Sequence, residues 1–110
     1  EMQYMRSLNL RTESTSAMSG LLKGLDALLM PTTLIVAPKV EEALGKETGE
    51  LRSMLLRNTE LFNMSGLPAL SMPMQRRHSL LPTGLQVVGG PGSDAVVLGV
   101  AEMAWSVLHA

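Results

Sequence analysis

The sequence predicts an α/β segment with about three short strands and three or more helices. Short apolar runs stop at Pro or Gly, as at residues 26–30 before Pro31 and residues 85–88 between Gly84 and Gly89. Elsewhere apolar residues recur at helical spacing, as in Leu51, Met54, Leu55, Leu61 and Phe62. The stretch Asp94–Leu108 is apolar nearly all the way round and is long enough to be a helix. For 110 residues, one domain with a core of modest size is the expectation.

Residues 1–24 read as mostly helical, with Met5, Leu8, Ala17, Leu21 and Leu22 as apolar positions. Their polar middle, residues 11–16, weakens the helix, because Ser and Thr hydroxyls compete for the backbone. A second helical turn could start at Ser16 or Ser19, and Gly20 and Gly24 limit its length. Residues 26–30, DALLM, form a buried strand, since Pro31 biases Met30 toward extended backbone. An irregular loop, residues 32–38, follows. Residues 39–49 are charged and punctuated by Gly, which predicts an exposed connection.

Thr48 can cap the next helix, with Glu50 near its positive end. Gly66 can end that helix in the left-handed conformation, and Pro68 prevents continuation. Residues 69–72 make the second strand. Residues 75–82 are a polar connection carrying Arg76, Arg77 and His78, and residues 85–88 are the third strand. Ser93 or Asp94 caps the final helix, Asp94–Leu108. Its small or polar positions, Gly99, Glu102, Ser106 and then His109, share one narrow stripe. A helix apolar over the rest of its circumference normally lies under other structure. Either the chain self-associates or it belongs to a larger body.

Composition excludes several function classes. Hydrophobic residues make up 45% of the chain, which marks it as globular. The nine Met residues read as core filler, and without Cys a Met-rich copper site lacks its other soft ligand. A net charge of −1 leaves no electrostatic footprint for nucleic acid or an anionic membrane. The lack of Cys removes disulfides, thiol nucleophiles and Cys-based zinc sites. No apolar run reaches about 18 residues, so no membrane span is expected. No leader is seen, and the chain begins at Glu1, which reads as a processed chain, a trimmed chain or a fragment. The expected setting is cytoplasmic.

Chemistry-bearing side chains are few. His78 lies in a basic loop and His109 in a last helical turn, where a cation suits the helix dipole. No paired-His spacing exists, so no metal and no cofactor is expected. A triad from Ser71 or Ser79, His78 and Asp94 can be drawn on paper, but no GxSxG elbow supports it. The acids Asp26, Glu41, Glu42, Glu47, Glu50, Asp94 and Glu102 are scattered, which suits solvated positions. The run GGPG, residues 89–92, lies between strand and helix, yet lacks the phosphate-loop form and its Lys, so a plain turn is favoured.

Four strings in order are more specific than their composition: DALLMPTTLIVAP (26–38), RNTELFNMSGLPALSMPM (57–74), LPTGLQVVGG (81–90) and SDAVVLGVAE (93–102). The series resembles the C-terminal portion of the amidase signature family, which includes amidases and amidotransferase A subunits. The resemblance implies the C-terminal part of a large mixed-sheet fold, as a single segment over residues 1–110. It also implies hydrolysis of C–N amide bonds by a Ser nucleophile, a second Ser in a cis peptide and a Lys. Those Ser residues belong to a Gly/Ser-rich segment N-terminal to everything seen here. Lys23, Lys39 and Lys46 match no catalytic position. No catalytic residue is therefore assigned, and Ser71 is not read as the nucleophile.

The resemblance further implies that the loop after the first strand, Thr32, Thr33, Leu34 and Ile35, approaches the substrate channel and shapes specificity. The expected partners are the remainder of the amidase domain or a self-association partner, and a small amide substrate in the full enzyme. By itself the chain is expected to be inactive. The competing reading is a non-catalytic assembly module that buries its apolar terminal helix in a partner. A minor third option is a small independent hydrolase using His78.

Overall fold

The computed structural model describes residues 1–44, 49–74 and 81–110. In order these form α1 (Met2–Leu21), β1 (Leu28–Pro31), α2 (Val40–Ala43), α3 (Glu50–Ser65), β2 (Ala69–Met74), β3 (Thr83–Val88) and α4 (Asp94–Leu108). The strands make one sheet in the order β1-β3-β2, with both neighbours antiparallel to β3. Register is set by Leu28 and Ala69, which flank Val88, and by Met30 and Ser71, which flank Gln86.

Alternation along β3 divides the core in two. Val88 faces one side, where Leu22, Phe62 and Leu67 are buried with it and Met18, Leu28 and Met30 pack against them. Val87 faces the other, with Met72 and the α4 residues Val97 and Ala101. The sheet is thus a thin middle layer, with α1 and α3 on one side and α4 on the other. Met fills gaps as expected at Met18, Met30 and Met72, whereas Met2, Met5, Met64 and Met103 are exposed.

The passage from α3 to β2 follows the expected local chemistry. Gly66 adopts φ 67° and ψ 26°, a backbone conformation that costs other residues more. The Leu67 amide donates to the Phe62 carbonyl at 3.2 Å, and the Gly66 amide to Asn63 at 3.4 Å. This pair of bonds is a Schellman cap, and the side chains at its two ends, Phe62 and Leu67, meet in the core. Thr48, expected as the N-cap of α3, lies outside the described residues, and Gly49 holds the cap position.

Three expectations are corrected. The first helix is continuous through its Ser- and Thr-rich middle. Thr12 donates to the Leu8 carbonyl (3.0 Å) and Ser19 to Thr15 (2.6 Å), so these hydroxyls bond back within the helix. Thr15 lies 2.7 Å from the Ser65 carbonyl, which ties α1 to the end of α3. The second difference concerns exposure. Leu22 is buried, but Met5, Leu8 and Leu21 are exposed, and the half-buried side of α1 is the one bearing Thr15, Met18 and Ser19. The third is α2, a single turn inside the stretch expected to be only a connection.

The final helix has the expected bounds, but Ser93 caps it only by position. Its hydroxyl donates instead to the Gly90 carbonyl at 2.6 Å. A Cβ on Gly89 would collide with the Ser93 hydroxyl and stand 2.6 Å from Val97 Cγ2. The glycine therefore permits close packing of β3 on α4. Only one face of α4 is covered, while Leu98, Met103 and Val107 are 60%, 71% and 77% exposed.

The molecule is a slab, with Cα extents of 49 × 40 × 17 Å. Its radius of gyration is 16.2 Å, against about 13 Å for a compact domain of this length. Its accessible surface is 8265 Å², where a folded monomer of this mass exposes about 5900 Å².

Candidate functional site

The loop at Thr32, Thr33, Leu34 and Ile35 leaves the sheet at the end of β1, and polar contacts hold it on three sides. Asn58 of α3 donates its side-chain amide to the Pro31 carbonyl at 2.8 Å. Gln86, only 3% exposed, donates to the Asn58 carbonyl at 2.9 Å and so braces that residue from below. The Thr32 amide donates to the Gly84 carbonyl at 3.0 Å, which extends the β1–β3 ladder by one bond. Further along, Thr33 donates its hydroxyl to the Ile35 carbonyl at 2.7 Å, and the Leu34 amide reaches the Met54 carbonyl at 3.4 Å.

The hydroxyls of Thr32 and Ser71 meet at 2.6 Å, although the residues come from strands that are not neighbours. They meet across β3 because Gly84 lies beneath them. A Cβ there would stand 2.7 Å from each oxygen, closer than any side chain tolerates. Glycine inside a strand often marks such a close approach.

Two adjoining depressions open here. One, of about 340 Å³, is lined by Thr32, Thr33, Ile35, Leu55, Ser71 and Thr83 among others. The second, of about 280 Å³, is lined by Pro31, Leu34, Ile35, Val36 and Met74 with Thr33, Thr83 and Gly84. The described residues lining both are uncharged. The four loop residues expected to shape a binding site are therefore together. Ser71, Gly84, Thr83, Asn58 and Gln86 complete the site; the sequence marked Ser71 only as a member of a drawn triad and Gly84 only as a strand boundary, and did not single out the other three. Gly84 within LPTGLQ was the available signal, because glycine next to a strand run can floor a cavity as well as end the strand.

The other candidates do not assemble. Ser71 points to the Thr32 face, whereas Asp94 begins α4 on the opposite face and lines a separate depression with Pro68 and Leu70. The Ser71–Asp94 arm of the drawn triad is thus split by the sheet, and His78 and Ser79 lie outside the described residues, as do Arg76, Arg77 and Glu47. His109 stacks on Trp105 with ring centroids 3.7 Å apart. Glu41, Glu42, Glu50, Asp26 and Glu102 are exposed. Among the described residues, no group of three or more His, Cys, Asp or Glu could hold a metal ion. No helix of the described residues is long and apolar enough to cross a membrane.

Comparison with known proteins gives one answer at every level. A family model described as Amidase matches residues 1–98. A fatty acid amide hydrolase of Oryza sativa subsp. indica is 32% identical over 102 residues, covering 90% of this chain and 17% of its own length. The glutamyl-tRNA(Gln) amidotransferase A subunit from Saccharolobus solfataricus is 35% identical over 99 residues, covering 90% of this chain and 20% of its own. A crystal structure of an amidase superposes over 98% of this chain and 25% of that one, with a TM-score of 0.80 and 28% identity. The chain thus spans about a fifth of the length of the curated relatives it matches.

Proposed function

This chain belongs to the amidase family, and on that premise we propose that it is the C-terminal structural part of a hydrolase acting on C–N amide bonds. A Ser, a cis Ser and a Lys outside this chain supply the bond-breaking chemistry. The nucleophile attacks the amide carbonyl and backbone N–H groups stabilise the oxyanion. The present residues support that centre and form one wall of the substrate channel through Thr32, Thr33, Leu34 and Ile35.

The observation that carries this reading is the unclosed surface. The slab exposes 8265 Å², far more than a closed monomer of its mass, and much of the excess is apolar side chain on α1 and α4. A body that covers α4 and continues the sheet accounts for it. The reading carries with it a small amide substrate and a cytoplasmic setting.

The test is ammonia release from a panel of simple aliphatic and aryl amides. The whole protein that carries this chain is expected to hydrolyse members of the panel, and residues 1–110 alone to hydrolyse none. A whole protein with its Ser and Lys residues in place, yet silent across the panel, would overturn the reading.

A second reading rests on the bare outer face of α4. In it the chain is a non-catalytic assembly module that buries this helix in a partner. Solution mass with unfolding cooperativity decides whether any cover is needed at all: a monodisperse monomer that unfolds in one sharp step speaks against both readings.

A further inference from the structure

Building on the amidase reading, we propose that the Thr32–Ser71 hydroxyl pair is a hydrogen-bonding subsite for the carbonyl group of an uncharged amide. The oxygens lie 2.6 Å apart, so one hydroxyl donates to the other. Each hydroxyl carries one proton and two lone pairs. Neither makes another side-chain hydrogen bond among the described residues. The accepting hydroxyl therefore keeps its own proton as a donor, strengthened by the bond it already receives.

That donor opens onto the depression beside Thr33, Ile35 and Thr83. The pair is open to this depression, since Ser71 is exposed and Thr32 only half-buried, so a ligand can reach both oxygens. Gly84 keeps the floor clear, since any larger residue would fill the space beneath the two oxygens.

The ligand class follows from the lining. No described lining residue is charged, so a charged group would lose hydration without gaining a partner. A carboxamide fits, because its carbonyl accepts from the free hydroxyl and its N–H can donate to a lone pair of the other. The adjoining depression, with Leu34, Ile35, Val36 and Met74, offers aliphatic surface for the acyl chain.

The test titrates the whole protein that carries this chain with hexanamide, read as Kd by calorimetry or as KM where turnover occurs. Thr32→Val and Ser71→Ala are each expected to raise the constant about five- to tenfold, the worth of one hydrogen bond. Thr32→Ser, which keeps the hydroxyl, should stay within about twofold. Variants that melt like the wild type and bind hexanamide equally well would overturn the subsite, and so would a wild type that does not bind it. If a variant fails to fold, amide chemical shifts of the wild type decide. Perturbation at Thr32, Ser71 and Gly84 on adding hexanamide supports the subsite, and its absence overturns it. Binding of hexanamide with no hydrolysis of any amide in the panel removes the hydrolase reading and keeps the subsite. Hydrolysis with unchanged KM in both variants does the reverse.

Discussion

Phe62 and Leu67 are joined twice across Gly66, by a 3.2 Å bond from the Leu67 amide to the Phe62 carbonyl and by burial in the same cluster. The backbone bond needs a left-handed residue between them, and the side-chain contact needs that turn to be tight. Gly66→Ala is expected to destabilise the protein by about 1 kcal/mol, because Ala resists φ 67° although only the Arg11 side chain lies near. Leu67→Ala should cost more, about 2–4 kcal/mol, by opening a cavity beside Phe62. Urea unfolding of the two variants measures both, and a Gly66→Ala cost equal to that of Leu67→Ala would contradict this division.

Glycines in this chain divide by what surrounds them, and that gives opposite signs for one substitution. Gly84→Ala would force a methyl to 2.7 Å from both the Thr32 and Ser71 hydroxyls. It is expected to destabilise by about 1–3 kcal/mol through overpacking. Gly99 stands in the interior of α4 with nothing within 4 Å. In residues 1–110 alone, Gly99→Ala should stabilise by about 0.5–1 kcal/mol through helix propensity. Thermal melts of the two variants side by side read the signs directly.

What could be read from the sequence was what neighbours in the chain decide. Gly66 as a helix stop, Pro68 after it and the bounds of α4 all rest on contacts within a few residues. The sheet order could not be read in this way, because pairing β1 with β3 ignores more than fifty intervening residues. The Thr32–Ser71 contact joins positions 39 residues apart and depends on what Gly84 lacks. The continuity of α1 was hidden for a different reason. Ser and Thr weaken a helix on average, but here their hydroxyls bond back to the preceding turn and one reaches Ser65.

Gln86 supports the site from within the sheet. It is 3% exposed and donates to Asn58, which in turn holds the Pro31 carbonyl. Gln86→Glu keeps the shape but sets a carboxylate oxygen against a carbonyl oxygen in a buried place. A loss of about 3 kcal/mol at neutral pH is expected from the lost bond and the buried charge. Gln86→Leu, with no charge to bury, should lose less. Denaturant midpoints for the two variants check the order, and a Leu variant weaker than the Glu variant would count against the bracing role.

Trp105, the only tryptophan, carries His109 on its ring at a centroid separation of 3.7 Å and an interplanar angle of 18°. The His109 ring also lies 3.1 Å from the Trp105 carbonyl, at the negative end of α4. The imidazole ring covers one face of the indole and keeps water from it. His109→Ala is therefore expected to expose more of Trp105, read as a red-shifted Trp emission at constant pH. An emission maximum unchanged in the variant would count against the stack.

The outer face of α4 separates a missing body from a helix that is simply exposed. Leu98, Met103 and Val107 are more than half exposed and are members of neither buried cluster among the described residues. Replacing all three with Gln leaves both buried clusters of the described residues intact. In that chain alone the triple variant should melt within about 0.5 kcal/mol of the parent, the usual effect of surface changes. It should also self-associate less, because exposed apolar side chains on both flanks of the Gly99, Glu102 and Ser106 stripe have been removed. In the whole protein the same substitutions should cost several kcal/mol, about 1.5–3 for each side chain whose burial is lost. Sedimentation of the chain alone and melts of both forms test the contrast. Equal, small effects in both would mean that nothing covers α4, and the structural role proposed for this segment would lose its main support.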